Sequence, residues 1–363
     1  MEKLLRPLFR TVSNAYGAVA RISYPWLPLP PLRLTLTVTS HCNLSCPYCY
    51  VREELNQDES NRLSLDEWKK VIDSVPRRML VMIGGGEPFI TPDIMGILGH
   101  LLATKHLVAV VTNGTALDAA RIEALVDGRL RYLMISIDGM AEYHDRLRGM
   151  DGAFERIEAV FRTLNDLKRR KTRSYPLTCI KTTITEDNYE EIPRLLEFAE
   201  SGLRADHVAL SLLVQNPLQE GFKLTEDLAD PRFRQGNTYA YPEAVRPHIR
   251  ELIERVFAYR RTSRLQIEFA PRLGSKQRLL DYVSDPSRFG VKRCSIPWIE
   301  FNIYFDGRIA PCVTYFIGNI RDLDYDVRKV IRLPRYKEFL SFFRSAAYQR
   351  PCEGCCWGKH VPR

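Results

Sequence analysis

The chain has 363 residues, 45% hydrophobic and 27% charged, enough to bury a full core in one large or two smaller domains. No window approaches the roughly 18 uninterrupted apolar residues of a membrane span, and the net charge of +9 admits an anionic partner such as nucleic acid, lipid headgroups, a nucleotide or an acidic peptide without selecting one. Nine cysteines, an odd number with no continuous apolar signal-peptide core, argue against a disulfide framework and for thiolate metal ligands in a reducing cytoplasm.

Leu5, Phe9, Val12, Tyr16 and Val19 recur at helical spacing among Lys3, Arg6, Arg10 and Arg21. This predicts a helix packed on the body, with peripheral membrane contact as the alternative reading. "WLPLPPL" (26–32) stops it, so 1–32 reads as helix and connector. Strand and helix patterns then alternate. Strands fall at 33–39, 79–85, 107–112, 132–138, 177–185 and 207–214, each but the last followed by a helical pattern. The first helix opens on Ser64 as N-cap. The basic run "LKRRKTR" (167–173) closes the helix begun near Ala153, where cations suit the dipole. Cys179 falls in a strand and reads as core. Six βα units over 33–214 predict an α/β fold, a partial (βα)6 TIM-like barrel with chemistry at the C-terminal strand ends. Residues 215–289 hold a polar loop or lid (215–245), a connecting helix near 246–262 and the short strand "LQIEFA". Residues 290–363 read as a small C-terminal α+β domain built on a hairpin with an Asp-Gly turn.

"HCNLSCPYCY" places Cys42, Cys46 and Cys49 directly after the first strand. Three thiolates can hold three irons of a 4Fe–4S cluster and leave the fourth iron open to another ligand; the spacing alone leaves zinc a rival. The second strand ends in "GGGEPF" (84–89), where glycines allow close backbone approach and Glu87 can pair with an ammonium.

"CNLSCPYC" matches the Cx3CxΦC motif of the radical S-adenosylmethionine (SAM) superfamily, with Tyr48 as the aromatic, and "GGGEP" matches its GGEP motif. "TNGT" (112–115) and "SIDGMAEYHDRLRG" (136–149) match strand-end pieces of members with iron–sulfur extensions. On these residues the chain resembles that superfamily over 33–214 and, more loosely, over 290–356. The resemblance implies that Cys42, Cys46 and Cys49 ligate the cluster and that SAM chelates the open iron. Gly85, Gly86 and Glu87 would receive its amino group, Tyr48 would lie near the adenine and Asn113 near the ribose, and Ser136 and Arg148 would face the carboxylate. The implied chemistry is reductive cleavage of SAM to methionine and a 5′-deoxyadenosyl radical that abstracts hydrogen from substrate.

Cys294, Gly307 and Cys312 precede a terminal "CEGCC" with Cys352, Cys355 and Cys356. Alone, the group fits zinc as well as iron–sulfur. In context it resembles a short SPASM/Twitch extension, implying one auxiliary 4Fe–4S cluster on Cys294, Cys312, Cys352 and Cys355, with Cys356 as the alternative to Cys355. The implied activity is oxidation or crosslinking of an organic substrate (small molecule, lipid or peptide), with the auxiliary cluster accepting the electron. Glu268 is the candidate catalytic proton acceptor and Asp306 a second, although a surface or turn role is the plainer reading of each. Radical methylation or rearrangement, with a structural auxiliary cluster, is the alternative reaction. A non-enzymatic metal- and nucleic-acid-binding protein is the alternative class, but no basic aromatic stripe supports it and no nucleic acid is expected. A flavodoxin or ferredoxin is the expected electron donor, and the expected location is the cytoplasm.

Overall fold

The computed structural model describes residues 15–24, 26–27, 29–49, 51–213, 239–291, 294–312, 315–345 and 360–362. Cys352, Cys355, Cys356 and most of the expected lid lie outside these residues. β1 (Arg33–Thr37), β2 (Leu80–Gly84), β3 (Leu107–Thr112), β4 (Tyr132–Ser136), β5 (Leu177–Ile184), β6 (His207–Leu212) and β7 (Gln266–Ala270) follow one another in one sheet, each parallel to the next. Period-2 alternation explains how the sheet is used. Leu34, Leu36, Val81, Ile83, Ile135 and Ile180 are buried and share one core with the apolar stripes of the helices. Thr35, Met82, Ser136 and Lys181 point to the opposite, half-buried face. That half-open inner face is what a partial TIM-like barrel presents to a ligand.

The helices form where the sequence caps them. Ser64 and Glu67 close a capping box on Leu65–Ser74, and Asp118 caps Ala119–Asp127. Ala153–Arg170 buries Phe154, Ile157, Phe161 and Leu164 at helical spacing and ends on Lys168, Arg169 and Arg170. Three further helices were not expected from the sequence: Ala141–Arg148, Lys276–Ser284 and Pro334–Ser345. The connecting strand "LQIEFA" becomes β7, a seventh member of the sheet. Its Ile267 and Phe269 are buried, and Phe269 stacks on Phe257 of the helix Arg246–Tyr259 with ring centroids 5.8 Å apart.

The chain is helical at 15–23. Ala20 is buried and Tyr16 donates its hydroxyl to the Pro30 carbonyl at 2.6 Å, so one face packs on the body; Val19 and Ile22 are exposed. No helix among the described residues is long and apolar enough to cross a membrane.

β8 (Phe289–Val291) pairs antiparallel with β12 (His360–Pro362). The hairpin β9 (Glu300–Tyr304) and β10 (Arg308–Ala310) continues the main sheet instead of standing apart. β9 pairs parallel with the outer edge of β1, and β11 (Gly318–Asn319) follows β10. Trp298 lies in a short helix, Ile296–Ile299, not in the strand. At the turn, Gly307 takes φ +86° and the Asp306 carboxylate accepts the Arg308 N–H at 3.1 Å. Asp306 is therefore a turn residue and not a free proton acceptor.

The β1–β9 seam is polar on the inner face. Glu300, buried, ion-pairs with Arg33 and accepts the Thr35 hydroxyl at 2.8 Å. Removing one member of such a pair leaves the other desolvated and unmatched. Glu300→Ala should therefore cost about 2–3 kcal/mol, read as a lower Tm and faster proteolysis within 300–319. An unchanged Tm would mean that the seam does not hold the hairpin.

Candidate active site

The loop after β1 carries Cys42, Cys46 and Cys49, all half-buried. Its backbone is tied down on two sides. On one side, the Glu59 carboxylate accepts from Thr39 Oγ1 at 2.7 Å, Ser40 N at 2.5 Å and Ser40 Oγ at 3.0 Å, and Asn56 Oδ1 accepts the Cys42 N–H at 3.1 Å. On the other, the residues after β2 continue the sheet ladder: Gly86 N donates to Thr39 O at 2.9 Å and Glu87 N to His41 O at 2.8 Å. A Cβ on Gly85 would run into the Thr39 carbonyl and one on Gly86 into the His41 carbonyl, and Gly85 sits at φ +129°. The glycines are needed first for this close approach.

Glu87 is fully buried at 0% exposure. One carboxylate oxygen accepts Phe89 N at 3.0 Å and Thr112 Oγ1 at 2.7 Å, and the other accepts Asn113 N at 2.6 Å. Burial pushes its pKa up, and these donors pull it back part of the way. Its carboxylate is engaged inside the protein, joining the ends of β2 and β3. Asn113 is similarly engaged. Its Nδ2 donates to Asn43 Oδ1 at 2.9 Å and its Oδ1 accepts Thr115 N at 2.9 Å, which ties the "TNGT" turn to the cysteine loop.

Arg148 reaches the same loop from the end of Ala141–Arg148. It donates to Cys46 Sγ at 3.2 Å, its carbonyl accepts Ser45 N at 3.5 Å, and it ion-pairs with Asp138. Asp138 accepts Thr183 N from β5 at 3.0 Å. Burial opposes the charge on Arg148, but Asp138 and Cys46 beside it hold the guanidinium pKa above its usual value. Its Nε is buried without a partner. Tyr48 donates to Asp187 Oδ2 at 2.6 Å, and burial and that carboxylate raise its pKa. Ser136 ends β4 half-buried on the inner face. Glu268 stands exposed on β7, 3.9 Å from Arg272.

Cys294 and Cys312 come together at the other end of the β1–β9 pair. Burial raises the Cys294 thiol to about 12, and Cys312, Glu300 and Arg33 are close enough to act on it. Neither Glu59, Asn56, Asn43, Asp138 nor Asp187 was singled out from the sequence. Asn43 and Asp138 sit inside quoted motifs; the others signal their place through folded contacts alone.

The sequence profile of the Radical SAM superfamily matches residues 36–199, and that of the SPASM iron–sulfur cluster-binding domain matches 294–356. The chain belongs to the radical SAM superfamily. The radical SAM match implies a 4Fe–4S cluster and SAM as cofactors, and the SPASM match implies auxiliary iron–sulfur. The AdoMet-dependent heme synthase of Methanosarcina barkeri is 35% identical over 49% of this chain and 50% of its own, so the match spans half the relative's length. The PqqA peptide cyclase of Rhodopseudomonas palustris is 27% identical over 90% of this chain and 80% of its own. Streptococcus suis SuiB bound to S-adenosylmethionine superposes with a TM-score of 0.64 at 18% identity, covering 96% of this chain and 78% of that one, a likeness of fold.

The radical SAM donor set fits a cluster in chemistry. The three thiols share one tethered loop: Cys46 acts on Cys42, and both Cys46 and Cys42 act on Cys49. They are not drawn into one ligand geometry; among the described residues no group of three or more His, Cys, Asp or Glu is. Burial raises Cys42 and takes Cys49 to about 11. Both are neutral thiols at neutral pH, so metal loading must release protons and is favoured as pH rises. In the metal-free protein, alkylation of Cys49 should accelerate about tenfold per pH unit between roughly 8 and 10; a rate flat over that range would contradict the raised pKa. Gly86→Ala should lower iron uptake and cost about 1–3 kcal/mol through overpacking. Gly84→Ala, where an added Cβ meets nothing within 4 Å, should do neither. Equal iron content in the two variants would refute the packing role of Gly86.

Proposed function

We propose that this radical SAM enzyme oxidises or crosslinks an organic substrate, a peptide being the favoured class, and that an auxiliary 4Fe–4S cluster accepts the electron released. The observation that carries this reading is the parallel register of β1 with β9. It sets the first cysteine loop at the C-terminal end of β1 and the Cys294–Cys312 pair at the N-terminal end of the neighbouring strand. Five paired residues separate the two ends, about 13 Å at the usual strand rise. A substrate on the inner face lies between them. The peptide class is supported by the cyclase relative, which aligns along most of both chains, whereas the heme synthase aligns along half.

When bound at Cys42, Cys46 and Cys49, the cluster and SAM supply reductive cleavage to methionine and a hydrogen-abstracting 5′-deoxyadenosyl radical. The residues around them do the positioning. Glu59, Asn56, Gly85, Gly86 and Glu87 fix the loop. Main-chain carbonyls at Gly85 and Gly86 are left to receive the SAM amino group. Tyr48 borders the adenine, Asn113 the ribose, and Ser136 and Arg148 the carboxylate. After hydrogen abstraction a substrate carbon has lost one electron and one proton as a hydrogen atom. Completing a two-electron oxidation requires one further electron and one further proton. An auxiliary cluster held by Cys294, Cys312, Cys352 and either Cys355 or Cys356 would supply the acceptor for the electron, and Glu268 on the inner face would take the proton. A flavodoxin or ferredoxin of the cytoplasm supplies the initiating electron. On this reading 33–214 is the barrel, to whose sheet β7 adds a seventh strand, and 290–363 is the auxiliary-cluster domain.

Anaerobic reconstitution should give about eight irons per chain, a reduced EPR signal perturbed by SAM, and release of 5′-deoxyadenosine. The Cys294→Ala/Cys312→Ala double variant should retain about four irons and the SAM-perturbed signal. Eight irons in the double variant would remove the auxiliary assignment; bound zinc with no SAM cleavage in the wild type would remove the whole reading.

A further inference from the structure

We propose that the outer face of the N-terminal helix (15–23), together with Trp26 and Leu27, docks an acidic one-electron carrier protein that takes the electron from the auxiliary cluster. The proposal rests on the reading that Cys294 and Cys312 hold such a cluster. Six large hydrophobic side chains are exposed among the described residues, and four of them fall within 19–27: Val19 (55%), Ile22 (68%), Trp26 (82%) and Leu27 (61%). Single exposed apolar residues are ordinary, but a contiguous group of them marks an interaction surface. The helix creates the group by its spacing. Tyr16, Gly17 and Ala20, with Tyr24 just beyond, face the body: Ala20 is buried, Tyr16 donates to the Pro30 carbonyl at 2.6 Å and Tyr24 to the Ile331 carbonyl at 3.1 Å. Ala15, Ala18, Val19 and Ile22 fall on the opposite side of the helix and are exposed.

The position of this face singles out the partner. A Cβ added to Gly17 would lie 2.7 Å from Ser295 Cβ and 2.8 Å from its Oγ, so the helix backbone rests directly against the residue that follows Cys294. Val19 and Ile22 come two and five residues later, about 3 and 8 Å along the axis. One helix, about 10 Å across, therefore separates the exposed patch from Cys294. A lipid bilayer has no use for that proximity, whereas an electron carrier requires it. Charge agrees. From Lys3 to Arg52 the sequence holds Lys3, Arg6, Arg10, Arg21, Arg33 and Arg52 and no Asp or Glu. Exposed Arg344 donates to the Arg21 carbonyl, and its guanidinium carbon lies 5.8 Å from the Tyr24 ring centroid and 5.9 Å from that of Trp298, four residues after Cys294. A small apolar centre with a basic rim suits a brief encounter with an acidic protein, since weak redox contacts are small and steered by charge. The helix precedes the region that matches the radical SAM profile, so the family assignment gives it no role. The step moves one electron: with the auxiliary cluster bound and reduced, the oxidised centre of the carrier gains that electron, and no bond or proton is exchanged.

The test titrates the reconstituted full-length protein with an oxidised acidic flavodoxin and, separately, an oxidised ferredoxin by calorimetry, and follows reduction of each carrier by the pre-reduced protein in stopped flow. At least one carrier should bind, more weakly as ionic strength rises. The Ile22→Ser/Trp26→Ser double variant should weaken that binding about tenfold or more, with iron content and Tm unchanged. Arg21→Gln/Arg344→Gln should flatten the salt dependence. Cys294→Ala/Cys312→Ala should still bind the carrier but reduce it far more slowly. No binding of either carrier, or unchanged affinity in Ile22→Ser/Trp26→Ser, would overturn the proposal. So would equally fast carrier reduction by Cys294→Ala/Cys312→Ala. Patch-dependent binding to phosphatidylglycerol-containing vesicles without carrier binding would assign the face to a bilayer and overturn it as well. A wild type that holds only about four irons would instead remove the auxiliary cluster on which the proposal stands.

Discussion

A buried carboxylate, Glu87, holds together the pieces of backbone on which the cysteine loop depends. Its oxygens receive Phe89 N, Thr112 Oγ1 and Asn113 N, while its own N–H reaches His41. Four segments thus meet at one group: the loop after β1, the end of β2, the turn that follows it and the end of β3. An acceptor with no access to water must find donors in the protein, and here the donors belong to the strands whose ends must be aligned. The neighbouring glycines serve the same constraint, because any Cβ at Gly85 or Gly86 would push the loop off the sheet edge. A motif usually read for its contact with a cofactor is, in the protein alone, a packing device.

The second constraint is the direction of β9. Because it runs parallel to β1, the C-terminal hairpin does not extend the sheet toward the first cysteine loop but returns its own cysteines to the opposite end. The polar inner face between them is buried only halfway, whereas the helix-facing rows are sealed by Leu, Ile and Val. This division of the sheet leaves one face for stability and the other for ligands. It also explains why Arg33, Thr35 and Glu300 tolerate burial: each is matched across the seam.

The strands, most helices and both cysteine groups were legible in the sequence, because they are written in local terms: period-2 and helical spacing, caps such as Ser64, and thiols at close intervals. β7 was visible as a strand but not as a member of the sheet, since nothing local says which edge Ile267 and Phe269 will cover. Helix Ala141–Arg148 is short and polar, with His144 its one buried residue, so it has no apolar stripe to read. Glu59 lies ten residues beyond Cys49, and its partners precede Cys42; the segment folds back to meet them. Arg148 was assigned to the cofactor by motif, but its thiol and carboxylate partners are 102 and 10 residues away and emerge only with the fold.

These tethers act on one loop from three directions. Glu87 fixes it to β2 and β3, Glu59 and Asn56 fix it to the segment before the first capped helix, and Arg148 fixes it to β4 and β5 through Asp138 and Thr183 N. The first two bind backbone and set position. The third reaches a sulfur, Cys46 Sγ; were that thiolate to ligate iron, the N–H···S hydrogen bond would withdraw charge from it and shift the potential. Arg148 thus joins the cysteine loop to the ends of β4 and β5. A ligand that draws on its guanidinium competes with Cys46 for the same charge. A displacement of β5 moves Asp138, and with it the donor on Cys46. Position and electronic tuning of the loop are thus carried by different residues, and they can be altered separately.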